Sequence, residues 1–155
     1  MVRYKYRYLV FTLNYAGDNV VDPSVDQGEM ERVLRAAVEL NFGPHGLGLV
    51  QSNFTVRYFS GFTGIGVARV GRDFYRTLWA ALSMLTTLKS KKCRIVVLHC
   101  SGTMRKAQLA ALKHDRIQLD VALSRMPDPD LAAAKAQIAK IGDLNQTLID
   151  MIDTP

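Results

Sequence analysis

Arg7-Tyr8-Leu9-Val10-Phe11-Thr12-Leu13-Asn14, residues 7–14, decides the fold because it is apolar on both of its sides. Successive side chains of an extended chain point to opposite faces. Tyr8 and Val10 therefore share one face, and Leu9, Phe11 and Leu13 share the other. An antiparallel sheet with one wet face alternates apolar and polar residues. This strand does not, so a central position covered on both sides is expected. Residues 92–100 repeat the pattern, with Ile95 and Val97 set against Val96 and Leu98.

Between these two strands lie the pieces of one topology. Ala16-Gly17-Asp18-Asn19 and Asp22-Pro23-Ser24 read as a loop, after which Ser24 or Asp26 would cap a helix over about 25–41. Met30, Val33, Leu34, Ala37, Val38 and Leu40 recur there at helical spacing, and Asn41-Phe42-Gly43-Pro44 stops it. Strands at about 49–59 and 63–70 follow, joined by Ser60-Gly61-Phe62. Asp73 opens a second helix to about 88, with Phe74, Leu78, Ala81, Leu82 and Leu85 on one side. The order is β-α-β-β-α-β, which predicts an α+β, ferredoxin-like (RRM-like) two-layer sandwich.

Two further helices are expected, one from Thr103 to about Arg116 and on through 117–124, and one from about Asp130. In the last, Leu131, Ala134, Ile138, Ile141, Leu148 and Ile152 follow a three-four spacing interrupted by Asn145. Such a tail either docks on the sheet or seats on a partner, and the doubly apolar first strand asks for cover on the second sheet face. The expected organisation is a ferredoxin-like domain over 1–125, including the first of these helices, and a helical tail over 126–155, packed on the core or a partner.

Charge is segregated. Residues 1–8 carry three cations and no acid, residues 61–125 carry twelve Lys and Arg against three Asp, and residues 9–60 and 126–155 are each acidic by three. Segregation of this kind points to a polyanion. In the opening Met1-Val2-Arg3-Tyr4-Lys5-Tyr6-Arg7-Tyr8, alternation places Arg3, Lys5 and Arg7 on one side and tyrosines on the other. Cations suit phosphates and aromatic rings suit stacked bases, so RNA is the partner expected. Arg69, Arg72 and Arg76 bracket the start of the second helix, and Lys91 and Lys92 lie past its end. Ser101-Gly102-Thr103-Met104-Arg105-Lys106 follows a strand and opens a helix, where Thr103 would cap, free N–H groups attract anions, and Arg105 and Lys106 add charge. A basic solvated surface is the bland alternative to all of these.

Other classes fit less well. Gly61-Phe62-Thr63-Gly64-Ile65-Gly66 lacks the third glycine of a dinucleotide fingerprint and the Lys-Ser/Thr of a P-loop, and reads as close packing in a strand. His45, His99 and His114 are scattered, and His99 and Cys100 diverge as strand neighbours, so no catalytic or metal-binding set is expected. Cys93 and Cys100 are expected on opposite faces as reduced thiols. The charged opening lacks the apolar run of a secretory leader, and no stretch suits a membrane span, so an intracellular protein without a membrane partner is expected. A small ferredoxin-like phosphohydrolase would need arginines near the loop at 15–23, which has none.

Several motifs occur together in one order: Met1-Val2-Arg3-x-Lys5-x-Arg7-Tyr8-Leu9, Val56-Arg57-Tyr58-Phe59 with Thr63-Gly64-Ile65-Gly66, Trp79-Ala80-Ala81-Leu82, and Ser101-Gly102-Thr103-Met104-Arg105. On these the chain resembles the ferredoxin-like protein subunit of eukaryotic and archaeal ribonuclease P and of ribonuclease MRP, the processing-of-precursor-RNA subunit five family. The resemblance spans about residues 1–110. It implies a non-catalytic subunit that binds and stabilises the catalytic RNA and pairs with a TIM-barrel-like subunit among other ribonuclease P/MRP proteins. The RNA and its Mg²⁺ would cut the 5′ leader of precursor tRNA, or process precursor ribosomal RNA in MRP, with no cofactor bound by the protein. A nuclear, nucleolar location is implied for a eukaryotic member and a cytoplasmic one for an archaeal member. The RNA-binding residues expected are Arg3, Tyr4, Lys5, Tyr6, Arg7, Arg69, Arg72, Arg76, Lys91, Lys92, Arg105 and Lys106. The competing reading is a ferredoxin-like protein–protein interaction module without direct RNA contact.

Overall fold

In the computed structural model, residues 5–17, 22–124 and 131–151 are described. The chain runs β1 (Tyr6–Tyr15), α1 (Gln27–Gln51), β2 (Thr55–Phe59), β3 (Ile65–Gly71), a 3₁₀ turn (Arg72–Phe74), α2 (Tyr75–Met84), β4 (Thr87–Leu88), β5 (Lys91–Ser101), α3 (Met104–Ser124) and α4 (Leu131–Met151). The sheet order is β2-β3-β1-β5-β4, with every neighbouring pair antiparallel. With β4 set aside, this is the ferredoxin-like arrangement expected from the element order.

β1 is central and buried on both faces, as its composition requires. On one side Leu9, Phe11 and Leu13 join Met30, Leu34 and Val38 of α1 and Leu78 and Leu82 of α2 in the main core. On the other side Val10 packs with Tyr58, Ile65, Val67, Ala107, Ala111 and Ile149. Two alanines let α3 approach the sheet closely, and α4 adds Ile149. Each large apolar side chain buried this way contributes about 1.5–3 kcal/mol. The covered second face is therefore an energetic necessity for Val10 and Val67.

Several expectations need correction. α1 does break at Gly43, whose φ of 70° is open to glycine, but the chain resumes helically to Gln51. Pro44 opens that second segment, where its fixed φ and missing N–H cost nothing. Val50, expected in a strand, is instead a buried helical residue, and β2 begins only at Thr55. Leu40, expected in the core, is exposed. α2 ends at Met84, and Thr87–Leu88 turns back on Lys91 and Lys92 as a fifth strand. The two-residue turn puts Lys89 and Ser90 at φ of 46° and 66°, a conformation usually marked by Asn-Gly, so the sequence hid it.

The thiols are also corrected. Opposite β1, the β5 register slips by one residue between Val97 and His99. That bulge shifts parity, so Cys93 and Cys100 both face the main core rather than opposite sides. Both are free.

Ile138 and Ile141 of the expected α4 stripe are partly buried, but toward its end the buried side shifts by one residue. Ile149 is fully buried and Leu148 is exposed. Asn145, which looked like an interruption, is buried and donates Nδ2 to both carboxylate oxygens of Asp115 on α3 at 3.1 Å. Gln108 Nε2 donates to the Ile149 carbonyl at 2.8 Å. No helix among the described residues is long and apolar enough to cross a membrane.

Candidate nucleic-acid interface

Because β1 is antiparallel to both neighbours, its start lies beside the ends of β3 and β5. Tyr6 pairs with Gly71, Tyr8 with Arg69, and Tyr8 on its other edge with Ser101. Three segments distant in sequence thus meet at one end of the sheet. They are Lys5–Arg7, Arg69–Arg76 and the Ser101–Lys106 turn that opens α3.

The contacts there are specific. Arg72 N–H donates to the Lys5 carbonyl at 2.8 Å, tying the strand's start to the turn after β3. The Arg69 guanidinium lies over the Tyr6 ring, 4.7 Å from its centroid. Arg7 Nη1 donates to the Tyr6 carbonyl at 3.2 Å. Ser101 Oγ donates to the Thr103 carbonyl at 2.7 Å, fixing the turn into α3. Arg105 and Lys106 stand exposed in its first turn. Arg76 is exposed at the start of α2, and its Nε donates to the Tyr75 hydroxyl at 3.2 Å. That bond holds the guanidinium charge, raising its already high pKa.

The ion pairs found among the described residues are Arg32–Glu29, Arg35–Glu31 and Lys91–Asp22. None involves this end. Asp73, in the 3₁₀ turn, is the acid that shares it. Lys5, Arg7, Arg69, Arg72, Arg76, Arg105 and Lys106 therefore present a concentration of positive charge with which no acid among the described residues forms an ion pair.

Lys91 and Lys92 are not part of it. They start β5, ten and nine residues before Ser101, so at about 3.3 Å per residue they lie about 30 Å away. Lys91 Nζ pairs with Asp22 at 2.7 Å and sits 5.7 Å from the Tyr15 ring centroid. Lys89 Nζ donates to the Ser24 carbonyl at 3.1 Å. The bonds from Lys91 and then Ser24 hold the Asp22 carboxyl down at about 2. Lys89 and Lys91 thus tether the loop between β1 and α1.

Arg3 and Tyr4 lie outside the described residues. β1 begins at Tyr6, one residue nearer the chain start than the strand expected from Arg7. Sequence reading missed the stacking of Arg69 on Tyr6, and it missed that Gly102 faces Arg7. Both follow from strand register, which apolar runs on both parities leave unspecified. No group of three or more His, Cys, Asp or Glu among the described residues is placed to hold a metal ion.

Residues 7–112 match the Rpp14/Pop5 family. The chain is 36% identical over 137 residues to the ribonuclease P/MRP protein subunit POP5 of Schizosaccharomyces pombe, covering 83% of this chain and 98% of that protein. It is 32% identical over 132 residues to the human protein of the same name, covering 83% and 80%. It is 30% identical over 111 residues to ribonuclease P protein component 2 of Methanocaldococcus jannaschii, covering 72% and 75%. A chain in the cryo-EM structure of yeast ribonuclease MRP shares the fold, with a TM-score of 0.54 at 17% identity over 68% of this chain and 79% of that one.

Proposed function

Since the chain belongs to the Rpp14/Pop5 family, we propose that it is a protein subunit of ribonuclease P or MRP that binds and stabilises the RNA. The observation that carries this reading is the convergence of seven cations at one end of a sheet whose two faces are both covered by helices. Covered faces leave no open platform for stacking bases on the centre of the sheet, unlike RNA-binding modules that use theirs. Recognition is then by phosphate contacts along the basic end. Exposed cations displace condensed counterions from RNA and let its segments approach, which lowers the Mg²⁺ that folding demands.

In this reading the RNA and its Mg²⁺ supply the cleavage chemistry for 5′ maturation of precursor tRNA, or for precursor ribosomal RNA in MRP. The protein supplies charge and shape. A TIM-barrel-like subunit is the protein partner, and the nucleus is the location for a eukaryotic member. A second reading, as a module that binds protein and not RNA, is favoured by Leu144, Leu148 and Met151, left exposed along one side of α4.

Filter binding of the purified chain to ribonuclease P RNA, titrated across salt, separates the two. RNA binding that weakens steeply with salt supports the proposal. Binding that is absent or insensitive to salt supports the second reading.

A further inference from the structure

Gly102 has no backbone reason to be glycine. The glycines of this chain with positive φ are Gly17, Gly43 and Gly64, so Gly102 adopts a conformation open to any residue. Nor does packing against the fold demand it. A Cβ built at Gly102 would meet only Arg7 within 4 Å, with Nη1 at 3.1 Å and Cζ at 3.8 Å. The contrast is Gly66, where a Cβ would run into the ring of Phe11 in the core. The space beside Gly102 is occupied by a guanidinium that pairs with no acid among the described residues and donates to the Tyr6 carbonyl.

Register explains the encounter. Tyr8 sits opposite Ser101, so Arg7 comes level with Gly102 at the turn into α3. We infer that Gly102 is a positioning residue, kept free of a side chain so that the Arg7 guanidinium lies against the turn that leads into α3, at the end of the sheet that also carries Arg105 and Lys106. This rests on the RNA reading above and deepens it, because it makes Ser101-Gly102-Thr103 a seat for an RNA-contacting arginine held by another strand. A second group reports on that seat. Cys100, two residues away and half-buried, has its thiol raised mainly by burial and pulled back down by the Arg7 charge.

The test uses the full chain carrying Gly102→Ala or Gly102→Val, each with Arg7 intact and with Arg7→Ala. RNA affinity and thermal midpoint are measured for all. Thiol labelling of Cys100 against pH is followed in a Cys93→Ala background. With Arg7 present, Ala should weaken RNA binding about twofold and Val about fivefold, with neither weakening it further once Arg7 is gone, as contacting residues couple. Labelling of Cys100 near neutral pH should slow about twofold in both Gly102→Val and Arg7→Ala, because rate follows the thiolate fraction. Equal losses of affinity in both Arg7 backgrounds, or Cys100 labelling that ignores residue 102, would overturn the inference. If Arg7→Ala leaves RNA affinity untouched while Cys100 labelling still follows residue 102, the seat stands and its RNA role falls.

Discussion

Both ends of this sheet carry clustered cations, and the protein treats them differently. At the start of β5, Lys91 is paired with Asp22 and Lys89 is bonded to the Ser24 carbonyl, so these lysines hold a loop. At the start of β1, Lys5, Arg7, Arg69, Arg72, Arg105 and Lys106 meet with no acid among the described residues paired to them. Arg69 lies over the Tyr6 ring and Arg7 donates to the Tyr6 carbonyl. A cation already neutralised has little to offer a phosphate, because binding would first break its own pair. Counting charges along the chain cannot distinguish the two ends; their partners can.

The largest expected effect sets one end against the other. Replacing Arg69, Arg72 and Arg105 together with Ala should weaken RNA binding at least tenfold and reduce the slope of log affinity on log salt by about 2, at roughly 0.7–0.9 per lost phosphate contact. Replacing Lys89, Lys91 and Lys92 should change affinity less than twofold. Similar losses at both ends, seen by filter binding, would erase the distinction.

Next in size is a test that the fold, not the charge, depends on close packing at the sheet centre. Gly66→Ala drives a methyl into the Phe11 ring and should destabilise the protein by about 1–3 kcal/mol in denaturant unfolding. An unchanged midpoint would mean the two faces are less tightly covered than described.

A smaller effect sharpens the picture of the far end. The folded protein holds Asp22 at about 2, below its ordinary value of 3.8. The unfolded chain therefore binds the proton more readily, and the stabilisation is present above about pH 4 and lost as pH falls toward 2. Lys91→Ala should lower the thermal midpoint modestly at pH 7 and flatten that acid limb.

Asp115 provides the opposite sign and the smallest effect. It is 2% exposed, and burial raises its pKa despite help from Thr63 and Asn145. Its contribution is best at acid pH and declines as pH rises from the ordinary carboxylate value through the raised one. Asp115→Asn keeps an acceptor for Asn145 and removes the buried charge. It should therefore hold or slightly raise the midpoint at pH 7, where a clear loss would show that the carboxylate is needed as an anion.

Much of this fold was legible because β1 and β5 are apolar at both parities, which demands a central place and two covered faces. What escaped the sequence were features set by register and by compensation. The slip opposite Val10 and Phe11 moved Cys100 to the core side. The Lys89-Ser90 turn carried none of the usual hairpin residues. Asn145 read as a break in an apolar stripe because its buried partner, Asp115, lies thirty residues earlier. At the candidate site the residue types were legible, and their grouping was not. Nothing in the one-dimensional pattern told Arg105, beside β1, from Lys92, about 30 Å off along β5.

The most direct test places a photo-crosslinking residue at position 105 in one protein and at position 92 in another, each bound to ribonuclease P RNA. Crosslinks to RNA from position 105 and none from position 92 are expected. Crosslinks from 92 alone would place the RNA at the wrong end of the sheet and contradict the account.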